Sequence, residues 1–129
     1  MRLYFDSAPI VYHVERTMPY ATVVDARLTA SGVMLVSSEL ARLECLVLPL
    51  RNGDAARVGD FDMFFSARVD ELADFTSAVF RRAAEIRASH NFKIPDALHR
   101  ACAFEAGCDA FLTNDAQLTR FSGLAVEVV

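Results

Sequence analysis

The stretch Leu3-Tyr4-Phe5-Asp6-Ser7-Ala8-Pro9 decides the fold class. Three apolar residues without alternation read as a short strand buried on both faces. Asp6-Ser7 stops that strand, and Ser7 is suited to cap a helix carrying Pro9 in its first turn, where a missing N–H costs little. The same order of strand, polar stop and helix returns along the chain. Val33-Met34-Leu35-Val36 precedes Ser37-Ser38, a cap for a helix reaching about Leu48 and ended by Pro49 and Gly53. Ala110-Phe111-Leu112 precedes Thr113-Asn114-Asp115, and Ala125-Val126-Glu127-Val128 reads as a last strand. Pro19 opens a helical stretch that runs to Ser31-Gly32, and residues 54–69 are apolar and helix-like but weakly periodic. Residues 75–90 place Ala78, Val79, Ala83 and Ile86 on one side and Arg81, Arg82 and Glu85 on the other. Pro95-Asp96 starts one more helix, which Gly107 closes. Short apolar strands alternating with helices predict a three-layer α/β sandwich. Its centre is a mainly parallel sheet of four to five short strands, with helices on both faces.

Composition agrees with a folded chain. The 129 residues are 53% hydrophobic and 23% charged, which excludes disorder and fits one domain over residues 1–129. No apolar run reaches the roughly 18–20 residues of a membrane span. Asp6 follows the first apolar triplet at once, so no secretory h-region is expected. Three cysteines (Cys45, Cys102, Cys108) without a CxxC pair argue against a disulfide framework or a zinc site and fit a reducing cytoplasm. Thirteen Lys+Arg against seventeen Asp+Glu give a formal net charge of -4. A chain that held nucleic acid by bulk charge would be basic. Two options remain: no nucleic-acid partner, or an acidic site where metal ions reverse the local sign.

The acids are therefore the residues to place. Asp6 and Asp115 each follow a strand and point to the same rim of the sheet, where sites collect in open α/β folds. Asp109 lies at the other end of its strand and reads as structural. In the helix after Ser38, Leu40, Leu43, Val47 and Leu48 define a predicted buried stripe; Glu44 falls inside it and Glu39 outside. A carboxylate on a core-facing stripe is costly unless paired or bound to metal. Asp96 begins the helix that turns Ala97, Leu98, Ala101 and Phe104 inward; alone it reads as an N-terminal acid paired with Arg100. Four acids from four elements change that reading. Gathered without a counter-ion, Asp6, Glu44, Asp96 and Asp115 would raise one another's pKa, and a divalent cation relieves the conflict. Oxygen-only ligands select a hard ion, Mg²⁺ or Mn²⁺.

The chain resembles a PIN-domain ribonuclease of the VapC type, the toxin of a bacterial toxin–antitoxin pair. The matching pieces are the strand ending in Asp6-Ser7, Ser38-Glu39-Leu40-Ala41-Arg42-Leu43-Glu44, Ile94-Pro95-Asp96-Ala97-Leu98-His99-Arg100-Ala101 and Phe111-Leu112-Thr113-Asn114-Asp115, in the family's order. The resemblance puts the acidic quartet on Asp6, Glu44, Asp96 and Asp115, with Asp6, Asp96 and Asp115 as the main metal ligands. Glu44 then ligates through water or orients the attacking water. Ser7 and Thr113 match supporting hydroxyl positions. Asn114, where many relatives carry Arg or another residue, adds a neutral oxygen ligand or orients Asp115. The implied activity is Mg²⁺-dependent hydrolysis of RNA, with a VapB-type antitoxin and a homodimer as partners and loss of translation and growth as the outcome. The other reading is a PIN-like fold kept as a binding or scaffold module without cleavage. A phosphotransfer receiver is disfavoured, because the only lysine, Lys93, follows no aspartate at a strand end.

Other residues have plainer readings. His99 shares a helix face with Asp96 and reads as a partly buried, hydrogen-bonded histidine rather than a catalyst. His13 and His90 read as surface residues, and Cys102 and Cys108 as small hydrophobes. Phe61-Asp62-Met63-Phe64-Phe65 reads as core, with an exposed partner groove as its rival. Arg81, Arg82 and Arg87 read as a solvated helix face.

Overall fold

Five strands and six helices alternate along the residues described in the computed structural model, 1–116 and 123–129. In chain order they are β1 (Arg2–Phe5), α1 (Ser7–Glu15), α2 (Tyr20–Leu28), β2 (Met34–Ser37), α3 (Glu39–Arg51), α4 (Ala55–Ala67), β3 (Glu71–Leu72), α5 (Ser77–His90), α6 (Ile94–Glu105), β4 (Ala110–Thr113) and β5 (Ala125–Val128). The sheet order is β3-β2-β1-β4-β5, and every pairing is parallel. From β1 the chain builds outward to β2 and β3, then returns to add β4 on the other side of β1. The switch in direction lies between β1 and β4, and the crevice beyond the carboxyl ends of those two strands is where open α/β sheets place their sites.

Both faces of the sheet are covered, as continuous apolar strands require. Leu3, Phe5, Leu35, Ala110 and Leu112 pack toward α1–α4 with Ile10, Val24, Phe61, Phe64 and Phe65. The alternate residues Tyr4, Val36 and Phe111 pack toward α5 and α6 with Val79, Ile86, Phe92 and Ala101. The aromatic run in α4 is thus core, apart from Met63, which is exposed. Cys45, Cys102 and Cys108 are free and buried, and burial pushes all three thiols up, Cys102 to about 12.

Three local expectations change. Asp6, not Ser7, caps α1: its carboxylate accepts the Ser7 N–H at 2.8 Å, and Ser7 becomes the first helical residue. Pro49 lies inside α3, which runs on to Arg51. The buried stripe of α3 is Ala41, Cys45 and Pro49, spaced by four, and these small residues let the helix sit close to its neighbours α1 and α4. Leu43, Val47 and Leu48 are exposed as a result, and Glu44 stands at the margin of the stripe. The strand β3 went unforeseen because Glu71-Leu72 carries no apolar run; Asp70 extends its pairing by accepting the Leu35 N–H at 2.7 Å. Asp109 is structural as expected, accepting the Arg2 N–H at 2.7 Å on the rim opposite Asp6.

His13 and His90 are half-buried rather than surface residues, the first against Phe64 and the second stacked on Phe92. Of the arginine series Arg81 and Arg87 are exposed, as expected of a solvated helix face, and Arg82 is half-buried. Arg82 lies over Phe104 and pairs with Glu105, and Arg87 donates to the Phe92 carbonyl. Between α1 and α2, Asp25 receives Arg16 at 2.9 Å and His13 at 2.6 Å, and these partners hold its carboxyl down at about 2. A depressed carboxylate contributes stability that is complete above its ordinary value of 3.8 and is lost as pH falls through about 2. Asp25→Asn should therefore lower the melting temperature by a few degrees at most near neutrality, the pair being partly exposed, and by nothing near pH 2. Thermal melts at the two pH values check this.

Candidate active site

The carboxyl ends of β1 and β4 bring Asp6 and Asp115 together at the switch point. Leu112 pairs with Phe5 in register, so the next residue of each strand, Thr113 and Asp6, lie side by side. The Asp6 N–H donates to the Leu112 carbonyl at 3.0 Å. Asp6 is nearly buried at 8% exposure, and both its oxygens are held: Oδ1 by the Ser7 N–H and Oδ2 by the Thr113 hydroxyl at 2.8 Å. Thr113, wholly buried, also accepts the Asp115 N–H at 3.2 Å. One hydroxyl thereby ties Asp6 to the turn that carries Asp115. Ser7 gives its support through the main-chain N–H. Asn114 sends its amide to the Tyr12 hydroxyl at 3.2 Å, toward α1.

Asp96 enters from the first turn of α6, where Lys93 is the N-cap residue and Pro95 pre-sets the backbone. Its carboxyl is raised above the usual aspartate range, first by burial, then by the negative charges of Asp6 and Asp115; His99 and Arg100 pull the other way. Arg100 lies beneath, 1% exposed, with its guanidinium 4.3 Å above the Phe111 ring. Burial lowers its pKa to about 10 while Asp6, Asp96 and Asp115 raise it, so it stays a cation at neutral pH. Four carboxylates thus share a rim that has one buried guanidinium beneath it. Glu39, by contrast, is exposed in the first turn of α3 and pairs with Arg42.

Glu44 reaches the rim from α3, and its partner is His99, which the sequence reads as a partly buried, hydrogen-bonded histidine. His99, 2% exposed, directs Nε2 to Glu44 Oε1 at 2.5 Å and lies 3.6 Å from Asp6 Oδ1. Ligating atoms of Asp6, Glu44 and His99 fall within 4.8 Å of one another, the one such set among the described residues. Asp96 and Asp115 stand outside that tight set and reach Asp6 through their charges. The position of His99, one turn after Asp96 on the same face, was the available signal; its hydrogen bond to Glu44 is a tertiary contact that spacing does not show.

A family model for the PIN domain matches residues 3–124 of this sequence. The chain belongs to the PIN domain family. No curated protein matches it at the level of sequence. Among solved structures, this PIN domain is similar to VapBC2 of Rickettsia felis, solved bound to a promoter DNA fragment. That match has a TM-score of 0.81 and 16% identity over 99% of this chain and 98% of the other. A toxin–antitoxin complex from Klebsiella pneumoniae matches with a TM-score of 0.76 and 14% identity, over 98% and 99% of the two chains. Mycobacterium tuberculosis VapC20, described as a sarcin–ricin loop cleaving toxin, matches with a TM-score of 0.73 and 16% identity, over 95% and 98%. At such identities the likeness concerns the fold, and it agrees with the parallel five-stranded sheet of this PIN domain. No helix among its described residues is long and apolar enough to cross a membrane.

Proposed function

We propose that this PIN domain is a metal-dependent endoribonuclease, the toxin of a toxin–antitoxin pair that suppresses translation and growth. The observation that carries the reading is the gathering of Asp6, Asp96 and Asp115 at the β1/β4 switch point, with the Asp96 carboxyl raised by burial and then by its neighbours' charge. One buried guanidinium under four carboxylates leaves an excess of negative charge in an oxygen-rich set, and that chemistry fits a hard divalent cation. Asp6, Asp96 and Asp115 would hold Mg²⁺, or Mn²⁺ in its place. When bound, such an ion polarises a phosphoryl oxygen and lowers the pKa of a water molecule.

The chain's own residues supply the rest. The Ser7 N–H and the Thr113 hydroxyl fix the Asp6 carboxylate, so it needs no reorganisation when a phosphodiester arrives. Glu44 reaches the rim from α3 and would orient the attacking water, accepting its proton as the phosphorus–3′-oxygen bond breaks and the leaving oxygen takes a proton from solvent. Arg100 offsets part of the charge that RNA phosphate meets, which lets an acidic chain accept a polyanion locally.

The partner surface is on α3. The exposed residues Leu43, Val47 and Leu50 and the half-buried Leu46, with Glu39 and Arg42 at the margin, line an open groove of about 430 Å³. An apolar segment of an antitoxin fits such a groove, since exposed apolar patches of this kind mark protein contacts. On this reading the antitoxin lies on α3, the aromatics of α4 being buried in the core.

Incubation of the purified chain, free of any antitoxin, with total cellular RNA tests the reading. Discrete fragments in millimolar Mg²⁺ or Mn²⁺, abolished by EDTA, are expected. Intact RNA under every metal condition would favour the non-cleaving scaffold instead.

A further inference from the structure

Ser38, Tyr4, His99 and Glu44 form one hydrogen-bonded chain that runs from the core to the acidic rim. Ser38 Oγ accepts the Ala41 N–H at 3.3 Å as the N-cap of α3 and lies 2.7 Å from the Tyr4 hydroxyl. That hydroxyl is 2.8 Å from His99 Nδ1, and His99 Nε2 meets Glu44. Ser38, Tyr4 and His99 are each at most 2% exposed, whereas the Glu44 side chain is 30% exposed. The chain therefore begins on buried groups and ends on the one partly exposed member.

Proton counting fixes its direction. Nε2 faces two carboxylates, Glu44 at 2.5 Å and Asp6 at 3.6 Å. A lone pair there would oppose both, so Nε2 carries hydrogen. In the neutral ring Nδ1 is then an acceptor, the Tyr4 hydroxyl donates to it, and the Ser38 hydroxyl donates to Tyr4. Every donor points toward Glu44. The Tyr4 ring is itself stacked on Phe111 at 5.2 Å, so the relay cannot swing.

We propose that His99 is a positioning residue for RNA cleavage, its Nε2–H holding the Glu44 carboxylate at the acidic rim through an orientation set by Tyr4 and Ser38. The proposal rests on the nuclease reading above. Glu is a long side chain with many rotamers, and a carboxylate that must orient water gains from being held before substrate arrives. One Glu44 oxygen is taken by His99, which leaves the other for water.

The test compares RNA cleavage by His99→Asn, His99→Gln and Tyr4→Phe with ring ¹⁵N–¹H spectra of His99. Asn reproduces the Nδ1 side of the ring and loses the donor to Glu44; Gln places a donor near Nε2. His99→Asn should lower kcat by about tenfold or more with KM within about twofold, and His99→Gln should recover most of the loss. Tyr4→Phe keeps the ring stack and should lower kcat several-fold; it tests the same chain should His99→Asn fail to fold. Adding His99→Asn to Glu44→Gln should cost nothing further, because both remove one interaction. The spectra should show hydrogen on Nε2, shifted by Glu44→Gln and retained in saturating Mg²⁺. Wild-type kcat in His99→Asn, additive losses in the double variant, or disappearance of the Nε2 hydrogen on adding Mg²⁺ (which would make His99 a ligand) would each overturn the proposal alone. A wild-type chain that keeps the Glu44-dependent signal yet cuts no RNA overturns the nuclease reading and the proposal together.

Discussion

Asp96→Asn should abolish RNA cleavage, by about a thousandfold or more, and leave the metal-free protein at least as stable as before. The first half follows from charge. Asp96 is one of three carboxylates assigned to the cation, and an amide in its place keeps the shape while removing the charge that stabilises a divalent ion beside a phosphodiester. The second half follows from the direction of its titration. Burial and the charges of Asp6 and Asp115 raise the Asp96 carboxyl above its ordinary value of 3.8. A raised carboxylate binds its proton more tightly in the folded state than in the unfolded one. Without metal, stability therefore falls as pH climbs from about the ordinary value through the raised one. Asn removes that loss, so the variant should match or exceed the wild type in apo melts at neutral pH and fall no further over the window above 3.8. Cleavage assays and thermal melts at pH 4 and pH 7 check both halves. Retained cleavage would take Asp96 out of the site; a large drop in melting temperature would make it a structural acid.

What could be read in the sequence follows from how local each feature is. The strands β1, β2 and β4 announce themselves as apolar runs with polar stops, because a parallel sheet buries both faces of its central strands. Asp6 and Asp115 were legible for the same reason: a residue just past the end of a parallel strand lands on the site rim whatever its neighbours are. Helix α3 shows the opposite case. A wheel built on hydrophobicity selects Leu43, Val47 and Leu48 as buried, whereas the structure buries Ala41, Cys45 and Pro49 and turns the larger residues outward. Small side chains win where helices pack closely, as α3 does on α1 and α4, and large ones left outside offer a surface to a partner, a preference that a single helix does not encode. His99 was legible as a buried, hydrogen-bonded residue, but its partners Tyr4 and Glu44 are separated from it by 95 and 55 positions. Which donors meet which acceptors is set by the packing of β1, α3 and α6. The strand β3 lay beyond reach because its two residues carry no apolar run and join the sheet beside a tertiary contact, the Leu35 N–H to Asp70 hydrogen bond.

A divalent cation should stabilise this protein strongly, and through these acids alone. Any ion that binds the folded state and not the unfolded one raises stability with its concentration, by about 2.7 kcal/mol at a hundredfold excess over its dissociation constant. For a chain of this length that corresponds to a rise of roughly 5–10 °C in melting temperature. The decisive measurement is a Mg²⁺ titration followed by thermal unfolding, on the wild type and on Asp6→Asn/Asp96→Asn in parallel. A saturable rise in the wild type that is absent from the double variant is the expected result. Equal shifts in the two proteins, or none in the wild type at millimolar Mg²⁺ or Mn²⁺, would contradict a cation held between Asp6, Asp96 and Asp115.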